Sequence, residues 1–196
     1  MKCRSFFCIL LSLFPAIAAG QGLVINHEQG NPAHFGTLAP AAVQLAKDTL
    51  HIAYGHTSHG SQVTDGMNGL VGFINGGGLG MSRPNDFFKW NNGGTGGALD
   101  LLDYFASGDC GYYPQWVNGT RSYLNNASNA DVNVIIWSWC GQAGGKYAAG
   151  TLDSEYLLPM AQLELDYPDV TFVYMTQHTD IWSDDVRLAN QHIREY

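Results

Sequence analysis

The chain has 196 residues, 45% of them hydrophobic and 13% charged, with a formal charge of -8 at pH 7. That length and apolar share fit one globular domain and exclude a disordered polar chain. The acidic balance, with no Lys/Arg cluster beyond the N-terminus, argues against a nucleic acid or an anionic membrane surface as partner.

The first residues read as an export leader. Lys2 and Arg4 form a basic start, Phe6 to Phe14 is an apolar run too short to span a bilayer, and Pro15 to Gly20 offers a small-residue cleavage site at Ala18 or Ala19. Residues 1–19 are therefore expected to be removed. The product is a secreted or periplasmic protein without a membrane anchor, with a single domain over residues 22–196. Cys3 and Cys8 leave with the leader. Cys110 and Cys140 remain, either bridged in an oxidising compartment or as two separate thiols.

Leu38, Ala42, Leu45 and Ala46 have helical spacing and predict a helix over Leu38–Leu50. Leu50–Tyr54 reads as a short strand that ends at Gly55. Ser61–Ile74 reads as a helix with Val63, Met67, Leu70 and Ile74 on one face. Asn75–Asp86 is a Gly-rich loop, Phe87–Trp90 a short strand running into Asn91–Gly97, and Ala98–Phe105 a helix. Tyr113–Asn126 reads as loop, then helix. Asp131–Trp139 and Asp169–Met175 are nearly continuous apolar runs, which suit strands covered on both faces. Between them Leu152, Tyr156, Met160, Leu163 and Tyr167 space a helix that Pro159 kinks or restarts. Ser183 to Asp185 supply an N-cap and an acidic first turn to a last helix striped by Val186, Ala189, Ile193 and Tyr196. This alternation predicts the α/β class: a three-layer α/β/α sandwich around a mostly parallel, flavodoxin-like sheet.

Sheets of that kind gather their sites at the carboxyl ends of the strands. Four polar clusters fall there: "GHTSHGS" (Gly55–Ser61), "NNGGTGG" (Asn91–Gly97), "CGQ" (Cys140–Gln142) and "QHTD" (Gln177–Asp180). A serine on a sharp strand-to-helix turn has an exposed Oγ, and nearby backbone N–H groups can stabilise an oxyanion. Ser58 is the candidate; Ser61 reads as an N-cap and Thr57 as a more hindered hydroxyl.

The order of elements and these turns resemble the SGNH/GDSL hydrolase superfamily of esterases and lipases. "GHTS" (Gly55–Ser58) stands where that family carries Gly-Asp-Ser. "NNGGTG" (Asn91–Gly96) fits its Asn-x-Gly-x-x-Gly block, and "WCGQ" (Trp139–Gln142) takes the place of Gly-x-Asn-Asp. The resemblance implies a serine esterase acting on an acylated carbohydrate or another small ester, with no cofactor. Ser58 would be the nucleophile, and the Ser58 N–H, Gly93 N–H and Gln142 side chain would form the oxyanion hole. His56, His59, Trp139 and Asp180 would bind substrate or shape the site. The family's Asp-x-x-His block follows a fifth strand and has no counterpart before Tyr196. The domain is therefore expected to lack that last strand, with His178 as the in-chain candidate for the general base. Two alternatives keep the fold without this chemistry. His56, His59 and His178, with Asp180, could hold Zn²⁺ or Cu²⁺. Gly111–Trp116 with Trp137, Trp139, Tyr147 and Trp182 could form an aromatic platform for sugar rings.

Overall fold

The computed structural model describes residues 23–77, 79–179 and 183–196; the expected leader, Asp180 and Trp182 lie outside the described residues. The chain opens with two helices that begin on proline, α1 (Pro32–Thr37) and α2 (Pro40–Thr49). Proline suits a first turn because the N–H it lacks would have no helical acceptor there. The order is then β1 (His51–Gly55), a tight turn at Ser58–Gly60, α3 (Ser61–Gly72), β2 (Trp90–Asn91), β3 (Leu99–Asp103) and α4 (Gln115–Leu124). It ends with β4 (Val134–Trp137), α5 (Ala143–Ala148), α6 (Leu158–Asp166), β5 (Thr171–Tyr174) and α7 (Asp184–Glu195). The five strands form one all-parallel sheet in the order β2-β3-β1-β4-β5.

Helices cover both faces, as expected for α/β. On one face Ala53, Ile135, Trp137 and Phe172 meet Trp116 of α4, Tyr156 before α6, Met160 and Leu163 of α6, and Ala189 and Ile193 of α7. On the other face Val43 and Ala46 of α2 and Met67 and Leu70 of α3 line an apolar pocket together with Phe88 and Leu99. The central position of β1 is the reason its last residues, Ala53, Tyr54 and Gly55, are all buried.

Two expected elements differ. Ala98–Phe105 is not a helix. Its middle, Leu99–Asp103, is β3, running parallel to β1 with Tyr54 opposite Asp103. Leu99, Leu101 and Asp103 alternate with Asp100 and Leu102, and pairing on both sides overrides the helical spacing of so short a run. Phe87–Trp90 contributes only Trp90 to the sheet. Pro159 sits in the first turn of α6, so it starts that helix and does not kink it.

One contact sets how β1 and β4 lie together. A Cβ on Gly55 would stand 2.5 Å from the ring of its partner Trp137, so only glycine fits. Trp137 cannot move away, because its Nε1 donates to Thr120 Oγ1 at 2.8 Å. Gly55→Ala is therefore expected to cost about 1–3 kcal/mol by overpacking. Thermal unfolding should show Tm falling by roughly 2–4 °C for each kcal/mol.

Candidate functional site

Beyond Gly55 the chain turns through His56 to Gly60 into α3, and the turn is tied at both ends. His56 is 6% exposed, and its Nε2 lies 2.7 Å from Oδ1 of Asp103, the last residue of β3. The other oxygen of Asp103 receives the Thr64 hydroxyl of α3 at 3.4 Å. At the far end the Tyr54 hydroxyl donates to the Gly60 carbonyl at 2.9 Å. Burial raises the pKa of that phenol, so it stays a donor. A Cβ on Gly60 would fall 2.2 Å from His56 Cβ, so glycine is what lets the turn close on itself. In the middle, the Thr57 hydroxyl donates a hydrogen bond to Asp109. Asp109 is buried, and its other oxygen accepts the Gly111 N–H at 2.9 Å. Ser58 is exposed at the tip with φ +38°, a backbone region that non-glycine residues seldom enter.

The turn after β4 comes up beside this one. The half-buried Cys140 has its Sγ 3.5 Å from His59 Nδ1, and the hydroxyls of Thr57 and Ser58 lie against the same sulfur. His59 holds the thiol's pKa below the ordinary range, against an opposing push from burial. The Cys140 N–H donates to Gln142 Oε1 at 3.0 Å. The Gln142 amide in turn fills the space a Cβ on Gly111 would take, 2.3 Å away. From the β5 side, Gln177 Oε1 accepts the Ala143 N–H at 2.6 Å, and the Gln177 backbone is held by the side-chain amide of Asn190 through two bonds of 2.8 Å. The His178 ring stacks on His59 with centroids 4.3 Å apart. Its Nδ1, like His56 Nδ1 and Gln177 Nε2, is buried without a hydrogen-bond partner.

Ser58, His59, Gln142 and His178 thus converge at the carboxyl ends of β1, β4 and β5. The other expected groups do not join them. Gly93 gives its N–H to Asp100 Oδ1 at 2.7 Å, and Asp100 pairs with His51, where β1 begins. Five strand residues separate that edge from Ser58, roughly 13 Å at the usual rise, so Gly93 cannot share an oxyanion with the Ser58 N–H. His178 lies on the His59 ring, and the His59 nitrogen faces a sulfur and not a serine. His56 is engaged by Asp103 and serves the turn. Trp139 is 2% exposed, donates to the Met175 carbonyl at 2.9 Å and packs on Tyr156, so it belongs to the core and not to a substrate surface. Trp116 and Trp137 are core as well.

The three-histidine metal set is not formed either. Among the described residues the one group of three possible metal ligands is His51, Asp100 and Asp131, at the amino edge of the sheet. Cys110 and Cys140 are free thiols. Cys110 is buried and donates to the Ser138 carbonyl at 3.0 Å.

Sequence reasoning passes over Cys140, Asp103 and Asp109 as site residues. Cys140 carries a readable signal, since it directly follows the apolar run Asp131–Trp139 and precedes a glycine, here at φ +98°. The two carboxylates carry none, because each is brought to the site by pairing across the sheet or by a loop contact.

Asp109→Ala removes the acceptor of both the Thr57 hydroxyl and the Gly111 N–H. Urea unfolding should show a loss of about 1–3 kcal/mol, and a smaller one for Asp109→Asn, whose carbonyl oxygen still accepts. Comparison of the chain with protein-family models, curated proteins and solved structures finds no match.

Proposed function

We propose that the chain is a hydrolase that cleaves esters by acyl transfer to a side-chain nucleophile at the carboxyl edge of the sheet, with His59 as general base. The observation that supports this reading is the His59 imidazole 3.5 Å from the Cys140 thiol, whose pKa it lowers, on a turn open to solvent that also carries the Thr57 and Ser58 hydroxyls. A nucleophile within hydrogen-bond reach of a base, with the base ring fixed by a third group, is the arrangement covalent catalysis requires. Here the third group is His178, stacked on His59.

An acylated carbohydrate or a small ester is the proposed substrate. Three exposed tyrosines support a ring-shaped alcohol portion. Tyr104 stands 5.5 Å from the His56 ring, and Tyr112 and Tyr113 follow the Asp109–Gly111 loop that braces Thr57 and Gln142. Flat aromatic faces bury the apolar side of a sugar at little entropic cost. The reaction written this way calls for no cofactor, and the leader read in the sequence would place it outside the cytoplasm.

The test is hydrolysis of p-nitrophenyl acetate and butyrate by the purified chain. His59→Ala should lower kcat/KM by about 10²- to 10⁴-fold. Turnover by the folded wild-type chain no faster than the uncatalysed reaction would remove the reading.

A further inference from the structure

Resting on the hydrolase reading, we infer that the group acylated is the Cys140 thiol and neither of the neighbouring hydroxyls. Cys140 sits where a nucleophile is best presented. It caps the turn between β4 and α5, above the carboxyl edge of the sheet, and Gly141 at φ +98° makes that turn sharp. The backbone is braced rather than loose: Gln142 Oε1 holds the Cys140 N–H at 3.0 Å, and Gln177 Oε1 holds the N–H of Ala143 at 2.6 Å.

The competing hydroxyls are placed differently. Thr57 donates its hydroxyl hydrogen to Asp109, a carboxylate only 1% exposed, and is a secondary alcohol. Ser58 is exposed, but the base beside it has its Nδ1 on the sulfur. His56 cannot serve Ser58, since one of its nitrogens is on Asp103 and the other is buried. An imidazole alone activates a thiol far more readily than an alcohol, because the thiol needs only a modest fall in pKa to be thiolate near neutrality. The titratable groups that face the sulfur are His59 from the β1 turn, His178 behind it from β5, and Asp109 behind Thr57. The fall in the Cys140 pKa agrees with that setting.

The chemistry balances without a further reactant beyond water. The thiol proton passes to His59 Nδ1, the sulfur attacks the ester carbonyl, and the C–S bond forms as the C–O bond breaks. The alcohol leaves with the proton from His59. Water then gives a proton to His59 and attacks the thioester; the acid departs, and the proton returns to the thiolate.

The experiment is to incubate the chain with p-nitrophenyl butyrate, quench in acid and locate the butyryl group by peptide mass spectrometry. It is expected on Cys140 and to be released by neutral hydroxylamine, as a thioester is. In parallel, iodoacetamide should alkylate Cys140 with a pH midpoint below the ordinary thiol value of about 8.5, and His59→Ala should move that midpoint upward. Cys140→Ser, which keeps the packing, should lower turnover by at least about 10³-fold. An acyl group on Ser58, or full turnover by Cys140→Ser, overturns the inference while the hydrolase reading stands. A thioester on Cys140 that never turns over supports the inference and removes the hydrolase reading. No acyl group on any residue overturns both.

Discussion

The indole of Trp137 occupies the space where a side chain on Gly55 would project, and the candidate site depends on that contact. It holds the ends of β1 and β4 at one level, with Gly55 opposite Trp137 and the Ser138 N–H on the Gly55 carbonyl at 3.0 Å. His59 lies four residues beyond Gly55, and Cys140 three beyond Trp137. The two can meet only because both stretches of chain leave the sheet at the same height. Trp137 is anchored in turn by Thr120 and ringed by Phe105 and Trp116, so the core on one face of the sheet sets the geometry of an exposed turn.

Much of this is legible in the sequence. The two apolar runs that begin at Asp131 and Asp169 announce buried parallel strands, and the polar clusters at their ends mark the edge where a site forms. Residues 99–103 read as helix because Leu99, Leu101 and Leu102 suit a helix as well as a strand when nothing else is known. The sheet decides it, through partners on both sides. Gly93 is misplaced for a related reason. A two-residue strand and a tight loop return directly to β3, so "NNGGTGG" folds back over the amino edge near His51 and Asp100. Motif spacing records which residues come after a strand, and it cannot record how short that strand is.

Cys140 escapes a sequence reading for a different reason. Two cysteines behind a segment that reads as an export leader invite a bridge, and a bridged sulfur has no nucleophilic role. The fold separates the two thiols by burial and by hydrogen-bond partner. Burial pushes the Cys110 thiol well up, and it donates its hydrogen bond to the Ser138 carbonyl, so it behaves as a small core residue. Cys140 sits beside an imidazole with its pKa pushed down. Opposite shifts on two residues of one type agree with a packing role for Cys110 and with the acylation proposed for Cys140.

Among the described residues, four of the five buried polar side-chain atoms without a hydrogen-bond partner, His56 Nδ1, Ser138 Oγ, Gln177 Nε2 and His178 Nδ1, lie beyond the ends of β1, β4 and β5; the fifth is Trp90 Nε1 in β2, and Ser58 and Tyr104 hold a left-handed backbone. Each unpaired buried group costs on the order of 1–3 kcal/mol, and each strained backbone a comparable amount. A fold optimised for stability alone would have removed them by single substitutions. Their gathering at one edge of the sheet is the pattern expected where stability is given up to hold functional groups in place. The clustering owes nothing to the sequence resemblance. It sets the paired turns of residues 56–60 and 138–142 apart from the rest of the sheet edge on structural grounds alone.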